Sequence, residues 1–302
     1  EAARRSTCKN HLKQIGLGLR GYTTLHGQFP PGFIDDSGST ESWGWTVFVL
    51  PQLEQQALYE KLQVDDRRLT DLIKDGTAEE RALLQTKIKF YRCPADSSKD
   101  LLPSGLSDGA GQIGRTFQGK GSPEGWPTST NFVAWAPATS NYVGNAGLLD
   151  VGGREKNNGI FFGDSKVRLN DIDDGASNTL LVGERNERCA AAAWAGARNP
   201  PGEGMYGSYH IRARVSMKIN DPRDANHDRC TEGFASEHAG GALFVFCDGS
   251  VHFISETIDF NIAGLTASQL RNPSSQYDAT LLGVFQRLGC RDDEQPIPGD
   301  AF

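Results

Sequence analysis

Ser6-Thr7-Cys8-Lys9-Asn10-His11-Leu12-Lys13-Gln14-Ile15-Gly16-Leu17-Gly18-Leu19-Arg20-Gly21-Tyr22 is the stretch on which the reading of this chain turns. Cys8, Leu12, Ile15, Leu19 and Tyr22 recur at steps of four, three, four and three, which places them on one stripe of a helix. Lys9, Lys13 and Arg20 fall off that stripe and are expected to face water. Gly27, Pro30, Pro31 and Gly32 stop the helix. Ala2 and Ala3 are already helix formers with no capping residue before them, so the N-terminal half of the helix is expected to lie outside the chain. The first residue is Glu1 rather than Met, which is what a processed or truncated chain without its targeting segment looks like.

Outward from that helix, residues 45–62 keep helical spacing through Phe48, Val49, Leu53 and Leu58, with a bend expected at Pro51. Thr77 and Glu80 have the spacing of a capping box. Residues 88–91 read as a first short strand ending at Cys93-Pro94. Residues 99–137 turn to Gly, Ser and Pro and read as a long surface insertion. After Asn141 the pattern changes to short apolar runs. Residues 142–143, 160–162, 166–169, 179–183, 211–217 and 242–247 are strand candidates. Asp248-Gly249 between two β-rich runs marks a hairpin over 242–254, with Val251 and Phe253 on one face. A helical segment near 279–288 and a polar tail close the chain. The expected class is α+β, a long helix packed on a mostly antiparallel sheet with long loops.

The composition narrows the function. With 35 glycines and 14 prolines among 302 residues, many turns are expected. Lys and Arg number 31 against 38 Asp and Glu, a net charge of −7 with no basic block, which argues against nucleic-acid binding. No apolar run is long enough to span a membrane. Six cysteines, Cys8, Cys93, Cys189, Cys230, Cys247 and Cys290, suit disulfides in an exported protein, although buried free thiols are an alternative. A zinc set could also be drawn from His227, Cys230, His238, Cys247 and His252, but it lacks a Cys-x2-Cys pair.

Several blocks carry a family resemblance. They are the opening stretch from Ser6 to Leu17 with Phe29-Pro30-Pro31-Gly32, Gly44-Trp45, Pro51-Gln52-Leu53-Glu54-Gln55, Cys93-Pro94-Ala95-Asp96 and Ser140-Asn141-Tyr142-Val143-Gly144-Asn145. Asp171-Ile172-Asp173-Asp174-Gly175-Ala176-Ser177-Asn178-Thr179, Val182-Gly183-Glu184 and Asp248-Gly249-Ser250-Val251-His252-Phe253-Ile254 follow in the same order. Nine residues separate His238 from Asp248-Gly249. Together these resemble a bacterial group of prepilin-like, type IV pseudopilin-like proteins of unassigned activity, whose C-terminal signature is His-x9-Asp-Gly. The resemblance implies a type IV pilin-like fold, with residues 1–32 as the C-terminal half of the N-terminal helix and 33–302 as a β-rich head. It implies an inner-membrane anchor supplied by an upstream segment, other pilin-like subunits or further copies of the chain as partners, and a cell-envelope or extracellular location. Because Cys8 and Cys93 each lie in a family block, a Cys8–Cys93 bridge is expected. Cys189–Cys230 and Cys247–Cys290 then follow by elimination.

Two oxygen-rich loops are candidates for Ca²⁺, which pilin-like proteins often use to fix variable loops. One combines Asp173, Asp174, Ser177 and Asn178 with Glu184, and the other offers Asp224, Asn226 and Asp228. Neither fits an EF-hand, because Asn178 and Arg229 stand where the turn glycine belongs. Turn-forming Asx and Ser contacts are the plainer reading. His238 with Asp248 could orient a general base, with Ser236 or Ser250 as nucleophile. A hydrogen bond closing the hairpin entry is the structural alternative. No Gly-x-Ser-x-Gly elbow, phosphate loop or His-Glu-x-x-His helix is present, and a non-enzymatic chain is expected. Trp126, Trp135 and Trp194 lie in loop-rich stretches, where exposed rings could stack on a glycan or a partner. The expected function is a pilin-like structural subunit. An extracellular carbohydrate- or ligand-binding module comes second, and a hydrolase centred on His238 third.

Overall fold

The opening stretch is one continuous helix: α1 runs Ala2–His26, with Cys8, Leu12, Ile15 and Leu19 buried along a single stripe. Gly27 ends it at φ 74°, its N–H donating to the Thr23 carbonyl, a left-handed cap that glycine adopts without a Cβ penalty. The computed structural model describes residues 1–34, 41–101, 117–118, 134–135, 137–149, 157–198, 208, 210–221, 230–272, 274–299 and 301. Among these, no helix is long and apolar enough to cross a membrane.

The described strands, in chain order, are β1 (Glu41–Trp43), β2 (Phe117–Gln118), β3 (Ala134–Trp135), β4 (Thr139–Ser140), β5 (Tyr142–Asn145), β6 (Leu180–Glu184), β7 (Ala192–Ala193), β8 (Gly196–Arg198), β9 (Arg212–Ala213), β10 (Gly241–Phe246) and β11 (Val251–Ser255). The central sheet has the order β11-β10-β6-β5-β9, antiparallel except for the parallel β5–β9 pair. Three two-stranded pairs, β1–β8, β2–β3 and β4–β7, lie outside it. The chain is therefore mixed α and β, with an N-terminal helix and small, mostly antiparallel sheets.

α1 lies across β10, β11 and β6. Strand alternation divides the core in two. Leu243, Val245 and Cys247 pack with Cys8, Leu12, Ile15 and Leu19 on the α1 side. Ala242, Phe244 and Phe246 pack on the other side with Val143, Phe234 and helix residues Phe285 and Leu288. The close approach of α1 depends on Gly16, where an added Cβ would fall 2.6 Å from Val245 Cγ2.

The hairpin forms as expected, with Gly241 paired to Ser255 and Gly249 at φ 84° in the turn. The Thr77–Glu80 capping box is present. Other elements differ from expectation. Residues 45–62 break into helices at Trp45–Phe48 and Gln56–Leu62, separated by a 3₁₀ turn at Pro51–Leu53 that starts on the proline. Residues 88–91 are not a strand, because Lys89–Tyr91 closes a 3₁₀ turn instead. Residues 160–162 and 166–169 also stay out of the sheet: the N–H groups of Ile160 and Phe161 both donate to the Asn145 carbonyl, and Leu169–Asp171 is a 3₁₀ turn. Of 211–217 only Arg212–Ala213 pairs. Residues 279–288 hold a 3₁₀ turn at Ala279–Leu281, capped by Asp278, and a helix at Val284–Gly289. Most of the 99–137 insertion lies outside the described residues.

Candidate functional site: the junction of the first helix with the sheet

His238 sits just before β10 with its side chain fully buried. Its Nδ1 lies 2.6 Å from the Glu1 carboxylate at the start of α1. Its Nε2 faces inward, 3.5 Å from Glu184 Oε1 and 3.7 Å from Cys93 Sγ. Glu184 ends β6 and is 2% exposed. Its Oε2 accepts the Leu243 N–H at 2.9 Å, whereas its Oε1 accepts no hydrogen bond and faces His238. Burial disfavours the charged imidazolium, but its ion pair with the Glu184 carboxylate, reinforced by Glu1, outweighs it and raises the His238 pKa above its ordinary value. A buried carboxylate needs such a partner, because an unpaired charge in an apolar interior is strongly disfavoured.

The Cys8–Cys93 disulfide adjoins this pair and ties α1 to the loop before the sheet across a sequence separation of 85. The Tyr142 hydroxyl donates to the Cys8 carbonyl at 3.4 Å. Asn141 accepts the Cys93 N–H at 3.0 Å and donates to the Arg185 carbonyl at 3.2 Å and to the Asp96 carboxylate. Asp96 in turn accepts the Glu187 N–H at 2.9 Å. The guanidinium of fully buried Arg185 donates to the Gly233 carbonyl at 3.0 Å and the Arg212 carbonyl at 2.8 Å. Sequence blocks scattered from Cys93 to His238 thus meet around one end of α1. Cys8 Sγ, Cys93 Sγ, a Glu184 oxygen and a His238 nitrogen all lie within 4.8 Å of one another and all four residues are buried.

The other end of the nine-residue spacing grips α1 further along. Lys13 Nζ donates to the Gly249 carbonyl at 2.9 Å, and the Arg20 guanidinium donates to the Asp248 carbonyl. The Asp248 carboxylate accepts the Ser250 N–H at 2.7 Å. The His238–Asp248 dyad is therefore corrected. The six residues of β10 separate the two by about 20 Å of extended chain, and His238 partners Glu1 and Glu184 instead. Ser236 uses its hydroxyl to accept the His238 N–H at 3.1 Å.

The 171–179 loop does not gather the expected calcium donors. Both Asp174 oxygens accept backbone N–H groups of the C-terminal tail, from Asp293 at 3.0 Å and Glu294 at 2.7 Å. Asn178 donates to the Asp174 carbonyl at 3.0 Å, Asp173 and Ser177 are exposed, and Glu184 belongs to the His238 junction. The Asp174 carboxylate thus anchors the C-terminal tail rather than closing an Asx turn within the loop. Asp224, Asn226, Asp228, His227 and Trp126 lie outside the described residues.

Cys189 and Cys230 form the second disulfide. The Cys247–Cys290 pairing is corrected: both are buried free thiols. Strand alternation directs Cys247 to the α1 side of the sheet while Cys290 packs in the cluster on the opposite side. Burial raises both thiol pKa values well above the ordinary value. The zinc set drawn from the sequence is dispersed as well, since Cys230 is bonded to Cys189 and His252 packs edge-on to Phe246. Trp194 is fully buried and donates to the Thr86 carbonyl at 2.9 Å, so it is no exposed stacking platform. Besides His238, Glu184 is the junction residue that the sequence assigned elsewhere, to a calcium loop. Its signal was an acidic residue closing an otherwise apolar strand.

Two disulfides are what an oxidising compartment preserves, and they fit an extracytoplasmic protein. No curated protein and no solved structure matches the chain. The family described as protein of unknown function (DUF1559) matches residues 1–261 of the 302, and the chain belongs to that family.

Proposed function

We propose that the chain is the head-bearing part of a pilin-like cell-envelope subunit that assembles with further copies or other pilin-like subunits through its N-terminal helix. The observation that carries this reading is how α1 is held. Its buried stripe is fastened to the head at the Cys8–Cys93 bridge, at Glu1–His238 and at the Asp248-Gly249 turn. Leu17 and Leu25 meanwhile stand 51% and 72% exposed on the same helix. A rod fixed so firmly moves with its head as one body, and exposed leucines on it give a neighbouring helix something apolar to cover. In this reading an apolar segment upstream of α1 supplies the anchor in the inner membrane or the filament axis. A calcium ion held by Asp224, Asn226 and Asp228 is part of the proposal, tested by melting in excess chelator.

The test is cysteine cross-linking of the full precursor in its own envelope, with Leu17→Cys and Leu25→Cys variants. Cross-linked ladders that pellet with filaments support the reading; monomers at native expression overturn it. A second reading, a ligand-binding module, draws on a cleft of about 570 Å³ on the opposite side of the sheet, lined by Phe260, Ile262, Leu265 and Leu270 with Lys218 and Asp221 at hand. A thermal shift with an apolar, charged small ligand, lost in Phe260→Ala, would favour that module.

A further inference from the structure

We propose that, when the Cys8–Cys93 bridge is reduced, the two thiolates, His238 Nε2 and the Glu184 carboxylate bind one Zn²⁺ ion. Three observations converge. The four ligand atoms lie within 4.8 Å of one another, all on buried residues drawn from α1, the following loop, β6 and the approach to β10. A tetrahedral zinc with bonds of about 2.0–2.3 Å places its ligand atoms about 3.3–3.8 Å apart. Nε2 already stands 3.5 Å from Glu184 Oε1 and 3.7 Å from Cys93 Sγ. The two sulfurs must part on reduction, and the remaining ligand pairs lie within 4.8 Å.

The second observation is Glu184 Oε1, a carboxylate oxygen on a side chain 2% exposed that accepts no hydrogen bond and points into this cluster. The third is the far side of the imidazole. With Nδ1 held by the Glu1 carboxylate at 2.6 Å, Nε2 is the nitrogen that faces Glu184 and Cys93, and zinc would take its lone pair in place of a proton. The metal would then sit between Nε2 and the Glu184 carboxylate where the proton of their ion pair sits now. A carboxylate behind a ligating histidine is the arrangement that fixes its tautomer and orientation in zinc sites. The donor set of two thiolates, one imidazole and one carboxylate suits zinc.

The chemistry closes. A dithiol reductant gives up two electrons and two protons, breaks the S–S bond to leave two thiols, and becomes its own disulfide. Zinc binding then releases both thiol protons to solvent. Reoxidation by a disulfide oxidant runs the exchange in reverse and expels the metal. Zinc would hold α1 to the sheet in a reducing compartment, and the covalent bridge would replace it in an oxidising one.

The test refolds the full chain anaerobically after dithiol reduction and desalting, with and without Zn²⁺, and measures bound metal against a chromophoric chelator. The expected result is one zinc per chain, a higher melting temperature than the reduced metal-free chain, and, with Co²⁺ instead, a thiolate charge-transfer band with tetrahedral visible bands. Cys189→Ala with Cys230→Ala should keep the metal. Cys8→Ala with Cys93→Ala, and His238→Ala, should lose it. Glu1→Gln, a positioning change, should weaken binding by about 10–100-fold without removing the cobalt bands. The oxidised chain should bind none. Absence of stoichiometric zinc in the reduced chain, or zinc kept equally by His238→Ala and Glu184→Gln, overturns the proposal. So does a reduced chain that stays unfolded with or without the ion.

Discussion

The two faces of the central sheet are covered by different means. On one side Phe234, Phe244 and Phe285 meet edge to face, their ring centroids 5.0–6.4 Å apart, with buried Asn145 and Gln286 bonding backbone carbonyls at the edge of the cluster. On the other side α1 contributes Cys8, Leu12, Ile15 and Leu19 with Tyr22 packed at the margin, and its seat is defined by a disulfide, a buried His–Glu pair and two basic side chains on a hairpin turn. The apolar burial behind such packing is non-directional, and the edge-to-face preference of the rings adds only about 0.5–1.5 kcal/mol per pair. A helix with four apolar contacts can slip by a turn unless directional bonds forbid it. The first face supplies bulk stability, and the second fixes a position.

That contrast can be broken from either side. Phe244→Ala should have the largest effect on stability, about 3–5 kcal/mol from lost contacts and a cavity, read by denaturant unfolding, with little change in how α1 is seated. Cys8→Ala with Cys93→Ala should cost about 2–4 kcal/mol, since a bridge across a long loop restricts the unfolded chain. Unlike Phe244→Ala, it should speed amide exchange in α1 before the rest. Equal exchange throughout would erase the distinction between the faces. Gly16→Ala should cost about 1–3 kcal/mol, because its Cβ meets Val245 and the helix must lift.

The smallest and most specific effect is on pH dependence. The folded-state pKa of His238 is raised above 6.5, chiefly by Glu184 acting against burial. Its stabilisation is fully present below about pH 6.5 and is lost as pH rises through the folded value. Unfolding free energy of the wild type should therefore fall across that window more steeply than that of His238→Gln. Parallel curves would mean that the pair does not hold the helix end.

What was legible in the sequence follows from range. The stripe of α1, the Asp248-Gly249 hairpin and the Thr77–Glu80 cap are local signals, set by periods and turn chemistry within a few residues. The apolar runs at 160–162 and 166–169 looked like strands, yet their backbone groups find partners in Asn145 and nearby turns rather than in a ladder. The His238–Glu184 contact joins strands distant in sequence, and no spacing rule predicts it. The parity of Cys247 was readable, since alternation groups it with Leu243 and Val245. The face that carries Cys290 was not, because that depends on where the C-terminal helix docks.

The grip of the hairpin on α1 has a consequence for biosynthesis. Lys13 and Gly249 are separated by 236 positions, and Glu1 and His238 by 237. α1 thus waits more than 200 residues for β10 and β11, the last of the described strands, before its greasy side is covered. Such high contact order slows folding and prolongs exposure of sticky surface. A nascent chain of this kind gains from a holding chaperone, or from a membrane that occupies the helix until the hairpin arrives.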